Sequence, residues 1–404
     1  MNICIRYKYD QGLGGQYYQL YRPPPVLRMS SSTSDYVSVS SSTCLELFRL
    51  GHTALPRVWS GLWQLSSNAW GTAPLPQIRD AMARHVQNGY TAFDMVSYQI
   101  TGRVASDHYG SAEIIFGKFR QSLPINQLMF GATKWCVFRD IEPTQELVKS
   151  AVKERMERMQ TDHIDLLQVE VVACVLKVRY EPLQFHWQNY SNKGYLTALE
   201  ILYNLKMNGW ITELGLCNFD SIRTDEICTL LGPGAISSNQ VQFSLIDTRP
   251  LHGMADVCEK HGIHILCYGT LCGGFLSNRW LNKSMPDRYS DKLTPSQRKY
   301  LDMIVGAWGT WALFQDLLAE LKRIGDTYNL SISNVATRWV LDHSFVGAVI
   351  IGARLGISDH LDDNRRVYTA RLNDSDRTAI EAVLARSNGR RIITTIGDCG
   401  AEYR

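Results

Sequence analysis

A regular alternation of short apolar runs with helix-period segments constrains this chain more than any other feature. Apolar runs recur at 58–65, 92–95, 128–134, 164–168, 211–219, 237–244, 263–268 and 348–352. Helical patterns lie between them at 76–88, 112–121, 143–158, 195–207, 221–231, 251–261 and 314–328. The runs are apolar throughout rather than at every second residue. Such strands are buried on both faces, as in a parallel sheet wrapped by helices. Eight repeats of the unit predict an α/β fold that closes on itself, a (β/α)8 TIM barrel, rather than an open doubly wound sheet. No GxGxxG follows the first run, which argues against a Rossmann dinucleotide site.

The flanks add to this frame. Residues 45–50 alternate in polarity, Gly51-His52 turns and 54–58 returns, which predicts an N-terminal β-hairpin. Residues 1–43 hold Pro23-Pro24-Pro25 and a Ser/Thr run over 30–43, with little to bury, and read as a disordered extension. Met29, directly before that run, is an alternative start. A last helix is expected at 374–384, followed by a polar tail. The expected organisation is extension 1–43, barrel 44–390 and C-terminal tail 391–404.

Composition narrows the class of partner. A formal net charge of +3 spread over 404 residues gives no reason to expect nucleic acid or an anionic membrane. No apolar stretch is long enough to span a bilayer. The ten cysteines form no CxxC pair, which fits reduced thiols in a reducing compartment and so a cytoplasmic protein. The first 28 residues lack an apolar core, so no secretory signal is expected; their arginines and scarcity of acid leave a mitochondrial presequence as the alternative. His261 and His264 are three apart with no third ligand nearby, so no metal site is expected. Cys136 and Cys217 read as small packing residues. The expected partner is a small molecule, and the expected state a monomer or weak homo-oligomer.

Barrels of this kind carry their reactive groups at the carboxyl ends of the strands. Those ends hold Phe93-Asp94-Met95, Asp107-His108-Tyr109, Thr133-Lys134-Trp135 and Phe185-His186-Trp187. An acid, a phenol, an ammonium and an imidazole should therefore share one rim. Such a set suits proton delivery to an oxygen that gains negative charge, as when hydride adds to a carbonyl. A phenol near pKa 10 is a poor acid at neutral pH. A neighbouring ammonium favours the phenolate, and a carboxylate fixes the ammonium in place. Tyr109 reads as proton donor, Lys134 as its tuner, Asp94 as the partner of Lys134 and His186 as the donor that orients the substrate oxygen. Taken singly, each has a structural reading: Asp94 a cap, Lys134 a solvated strand end, His186 a core histidine, Tyr268 barrel packing, Arg354 a surface charge. Their joint occurrence favours a site.

The motifs, in this order, resemble the aldo-keto reductase superfamily over roughly residues 45–388. The likeness is carried by Phe93-Asp94 with Asp107–Glu113, by Gly215-Leu216-Cys217-Asn218-Phe219, by Asn239–Ser244 and by Tyr268–Leu276. Ile351-Gly352-Ala353-Arg354 and His360–Asn364 complete it. The resemblance implies reduction of an aldehyde or ketone with NADPH by direct hydride transfer. It also implies a cofactor map. Asn218 and Gln240 would hold the nicotinamide carboxamide, with Cys217 where the family usually has serine. Tyr268 would stack on the nicotinamide, followed by the turn with Gly269, Leu271 and Gly273. Arg354 would meet the 2′-phosphate, its fork suiting phosphate geometry. His360 and Asn364 would stand at the adenine end. Trp63, Trp135, Trp187 and the 271–310 loop would line an apolar or aromatic substrate pocket.

Two segments interrupt that pattern, 96–106 and 169–184. As surface loops they would cost little closure entropy, ~0.6 kcal/mol per doubling of length. The second is apolar and β-prone from Val169 to Leu176, a poor composition for an exposed loop. Both begin with valine, whose codons start GT, so translated introns are the other reading. The widened spacing from Asp94 to Tyr109 keeps a rival function open: a cofactor-binding regulatory homologue with impaired catalysis.

Overall fold

The computed structural model describes residues 36–37, 45–66, 70–95, 111–124, 127–137, 141–170, 190, 192–358 and 360–403. All lie in the unit 35–404. Eight strands close into a parallel barrel: β4 (Val58–Gly61), β5 (Ala92–Asp94), β6 (Phe130–Cys136), β7 (Ile164–Glu170), β8 (Ile211–Cys217), β9 (Ser238–Gln242), β10 (His264–Tyr268) and β11 (Val346–Gly352). β11 pairs with β4 to complete the ring, Ile350 opposite Trp59. Ahead of the barrel, β1 (Tyr36–Val37), β2 (Leu45–Leu50) and β3 (Thr53–Pro56) form an antiparallel sheet. The expected barrel and hairpin are both present. Within the stretch expected to be disordered, Tyr36–Val37 pairs with Leu45 and Glu46; the rest of 1–43 lies outside the described residues.

The helices are α1 (Leu75–Gln87), α2 (Ser111–Ser122), α3 (Gln145–Met159), α4 (Gly194–Met207), α5 (Ser221–Leu231), α6 (Met254–His261), α7 (Pro295–Asp302), α8 (Trp311–Tyr328), α9 (Ile332–Leu341), α10 (Leu361–Arg365), α11 (Asp374–Leu384) and α12 (Ile392–Thr395). Among the described residues no helix is long and apolar enough to cross a membrane. Helix starts are locally written. Thr310 Oγ1 accepts from Leu313 N at 3.1 Å and starts α8 three residues earlier than the apolar pattern suggests. Ser331 and Asn334 form a reciprocal cap at α9. Sequence reading missed α9, although Ile332, Val335, Ala336, Trp339 and Val340 recur at helical spacing; its polar side, Asn334, Thr337 and Arg338, is buried as well.

The pleat sorts strand residues into two layers. Trp59, Ala92, Phe130, Ala132, Leu166, Leu266, Ala348 and Ile350 fill the barrel interior together with Leu50 and Leu55 of the hairpin. The hairpin thus plugs the amino ends of the strands. Glu46 fastens it: its carboxylate takes Arg338 at 2.8 Å, Arg371 at 3.2 Å and Arg57 at 3.4 Å. With that end sealed, the carboxyl end is left for chemistry.

Two boundaries differ from expectation. β7 runs two residues beyond Gln168, through Val169 and Glu170, which pair with Trp135 and Cys136 on one side and Leu216 and Cys217 on the other. The neighbouring strands are long enough to continue the ladder, and Val169 is buried. The first two residues of the second interruption therefore belong to the barrel; 171–184 lie outside the described residues, as do 96–106. The segment after α11 also carries structure. It forms α12 and a 3-10 turn at Ala401–Tyr403, and it buries Ile392 and Cys399.

Candidate active site

At the carboxyl end, neighbouring strands aim their last inward residues at one another. Lys134 of β6 sits two positions past Ala132, the partner of Asp94 in the ladder. Its Nζ donates to Asp94 Oδ1 at 2.8 Å and Oδ2 at 2.7 Å, and to the Met95 carbonyl at 3.1 Å. Both side chains are buried, Lys134 to 2% exposure and Asp94 to 6%. A carboxylate this buried needs donors as well as a countercharge. Two glutamines supply them: Gln168 Nε2 donates to Asp94 Oδ1 at 3.1 Å and Gln240 Nε2 at 2.8 Å. Gln240 also donates to Gln168 Oε1 at 3.1 Å, so four strands meet in one polar layer. Sequence reading found the pair but not Gln168, whose only signal is a polar residue ending an apolar run.

The expected cofactor residues gather beside this layer. Cys217 ends β8, and its thiol faces Gln240 Oε1 at 3.9 Å. Asn218 follows in a left-handed conformation, φ 59°, and is buried. Its amide N donates to the Gln240 carbonyl at 2.9 Å, and its Oδ1 accepts from the Tyr268 hydroxyl at 2.9 Å. The Gln240 side chain, expected with Asn218 on the nicotinamide, here has both amide hydrogens on Asp94 and Gln168. Tyr268 ends β10 and runs straight into the Gly269 turn at φ 71°, where a Cβ would stand 2.2 Å from the Tyr300 hydroxyl. Leu271 and Gly273 shape the next turn, Gly273 at φ 64°. Burial, with Tyr403, Glu402 and Tyr300 beside it, holds the Tyr268 phenol protonated well above its ordinary range.

The remaining candidates scatter as follows. Arg354 is half-buried, and its Nε donates to the Trp70 carbonyl at 2.9 Å. His360 precedes α10 and is exposed, and the Asn364 amide donates to its carbonyl at 2.8 Å. Trp63 is 43% exposed and meets Trp70 edge to face, with centroids 6.4 Å apart. Trp135, expected in the substrate pocket, is corrected by the pleat. It stands one residue on from the inward Lys134, so it faces outward and joins the buried layer that includes Val148 and Val152 of α3. Tyr109, His186 and Trp187 lie outside the described residues. Among the described residues, no group of three His, Cys, Asp or Glu side chains is placed to hold a metal.

Sequence reading also missed a polar cluster behind Tyr268. Lys299 Nζ donates to the Tyr403 hydroxyl at 2.7 Å, and that hydroxyl meets the Tyr268 hydroxyl at 2.8 Å. Arg249 is 1% exposed and is gripped by Asp247 on one side and Glu402 on the other. Burial lowers the Lys299 ammonium, while Glu402 and Asp247 pull it back up.

Comparison with known proteins gives this geometry a lineage. The chain is 22% identical over 339 residues to aldo-keto reductase YhdN of Bacillus subtilis, covering 81% of this chain and 89% of that protein. It is 26% identical over 244 residues to an aldo-keto reductase of Babesia bovis, covering 54% and 79%. Its fold is similar to that of a glycerol dehydrogenase from Gluconobacter oxydans, with a TM-score of 0.64 at 20% identity, covering 88% and 96%. The sequence model of the Aldo/keto reductase family matches residues 57–385, so this chain belongs to that family of oxidoreductases, whose members generally use nicotinamide cofactors.

Proposed function

We propose that the protein reduces an aldehyde or ketone to the alcohol with NADPH, Tyr109 giving the proton. The observation that carries this reading is the buried Asp94–Lys134 pair at the carboxyl ends of β5 and β6, held by Gln168 and Gln240. Such a pair is costly to bury and contributes little net stability. A charged amine fixed at a barrel mouth is what proton delivery needs.

The residues present suit a nicotinamide. An aromatic ring, Tyr268, and a carboxamide, Asn218, stand together at the rim, followed by a turn that only glycine fits at position 269. Gln242 Oε1, beside that turn, is buried and has no hydrogen-bond partner among the described residues. Asn218 would hold the carboxamide, Tyr268 would pack on the ring, and Arg354 with His360 and Asn364 would take the 2′-phosphate and adenine end. The half-buried guanidinium of Arg354 favours NADPH over NADH. The bound cofactor supplies the hydride. The chain's own part is acid catalysis. Lys134, pinned by Asp94, stabilises the anionic form of the Tyr109 phenol and so makes it a better acid. His186 would orient the carbonyl oxygen, and Trp63 and Trp187 would line the substrate pocket. The ten cysteines of the chain form no CxxC pair, and those described, at 136, 217, 228, 258, 267, 272 and 399, are buried, in keeping with a reducing, cytoplasmic setting. We take the protein to act there as a monomer or weak homo-oligomer on a small-molecule carbonyl, without nucleic-acid or membrane partners.

The test is NADPH oxidation by the purified protein with a panel of aldehydes, ketones and quinones. Tyr109→Phe should cut turnover by roughly 10²–10⁴ and leave NADPH binding in place. Turnover unaffected by this change refutes the assignment. NADPH binding without any turnover across the panel favours the regulatory homologue instead.

A further inference from the structure

Behind the expected nicotinamide site, the last residues of the chain are built into its wall. Arg249 ties them down. It sits fully buried with Asp247, which it grips through Nε at 2.9 Å and Nη2 at 2.7 Å. The same guanidinium holds Glu402 through Nη1 at 2.6 Å and Nη2 at 2.9 Å, and the Asp398 carbonyl at 3.1 Å. Asp398 Oδ2 in turn accepts from the Ser221 amide at 2.7 Å, at the start of α5. Buried charge pairs add little net stability, but they fix register. Between these two anchors the backbone lies directly on Asn218. Gly400 adopts φ 74°, and a Cβ there would stand 2.0 Å from the Asn218 carbonyl oxygen.

The register puts the Tyr403 hydroxyl 2.8 Å from that of Tyr268. The direction of the hydrogen bonds follows from the donors available. Tyr268 gives its single proton to Asn218 Oδ1, at 2.9 Å. Tyr403 must therefore donate to Tyr268, and Lys299 donates to Tyr403 at 2.7 Å. The chain runs one way, from ammonium through two phenols to a carboxamide oxygen. It turns Asn218 so that Oδ1 faces Tyr268 and Nδ2 faces away from it.

We propose that Tyr403 and Lys299 are positioning residues for the cofactor: through Tyr268 they set the angle of the ring and the orientation of the Asn218 carboxamide that receive the nicotinamide. This rests on the reading of Asn218 and Tyr268 given under the proposed function. Both act through Tyr268, and Arg354, expected at the adenine end, is held by another contact, to the Trp70 carbonyl.

That separation supplies the test. Dissociation constants of the full-length protein are measured for NADPH and for adenosine 2′,5′-bisphosphate, which has the 2′-phosphate and adenine but no nicotinamide. Tyr403→Phe keeps the ring and removes only the proton given to Tyr268. It should weaken NADPH about fivefold, the worth of one hydrogen bond, and leave the bisphosphate unchanged. Lys299→Met should act in the same direction. Unchanged affinity for both ligands overturns the proposal. Equal weakening of both also overturns it, since that is what a purely structural role does. A wild-type protein that binds neither ligand removes the cofactor reading, and this inference with it. One that binds both, with variants indistinguishable from it, removes this inference alone.

Discussion

Lys134→Met strands a carboxylate. Methionine matches the length of the lysine stem and keeps the packing, so what changes is charge. Asp94, 6% exposed, loses its bidentate partner at 2.7 and 2.8 Å and keeps only the amides of Gln168 and Gln240. Removing one member of a buried pair costs about 3–5 kcal/mol. At about 2.1 cal/mol/K per residue, the unit 35–404 has an unfolding entropy on the order of 0.8 kcal/mol/K, so Tm should fall by roughly 4–6 °C. Asp94→Asn strands the ammonium instead and should cost a similar amount. The double variant has no charge left to strand, and the Asn oxygen can still accept from the two glutamines. It should be more stable than either single variant, with a coupling energy of about 3 kcal/mol or more. Urea unfolding of the four proteins measures this, and NADPH oxidation should be low in all three variants. Single costs that simply add, to within about 0.5 kcal/mol, would refute the claim that these two groups form one electrostatic unit.

Two further outcomes follow from the structure. His163 hydrogen-bonds Asp165, a contact that, against partial burial and with help from Asp162, raises its imidazolium from 6.5 to about 9. The folded value lies above the unfolded one, so the stabilisation is complete below pH 6.5 and disappears as pH rises through about 9; the gap in urea midpoint between wild type and His163→Gln should close over that window, and a gap that widens would contradict it. In α2, a Cβ at Gly117 would stand 2.6 Å from the Met159 carbonyl carbon and oxygen of α3, so Gly117→Ala should destabilise by about 1–3 kcal/mol despite the ~1 kcal/mol gain in helix propensity, and a raised Tm would show that α2 and α3 are not so tightly apposed.

Much of this molecule is legible without coordinates. The runs around Ala92, Leu166 and Ile350 are buried on both faces, and a chain that repeats such strands with helices between them has few ways to cover them other than a closed barrel. Asp94 and Lys134 were legible for a related reason: charged residues that end apolar strands at a barrel mouth are held there by the backbone, so position in sequence nearly determines position in space. The family motifs at Cys217-Asn218 and Tyr268-Gly269 extended this to the part of the rim beside that pair. Helix α9 was legible too: Ser331 and Asn334 cap a run whose apolar residues recur at helical spacing.

Other features depended on the way strands and tail meet. Whether Trp135 faces the pocket or the helices depends on a one-residue phase, and only the ladder with Val169 and the inward Lys134 sets it. Gln168 and Gln240 became supports of Asp94 because closure of the barrel brings β5, β7 and β9 together around one axis, a contact no segment carries alone. The last residues read as a polar tail because Asp398, Glu402 and Tyr403 look solvated in sequence. Their partners, Ser221, Arg249 and Tyr268, are far away along the chain, and polar groups that satisfy one another across such distances leave no periodic trace. The sequence alone therefore determined which residues would be buried and which strand ends would carry charge. Tertiary structure decided which polar groups face each other, because hydrogen bonds are directional and short while apolar burial is neither.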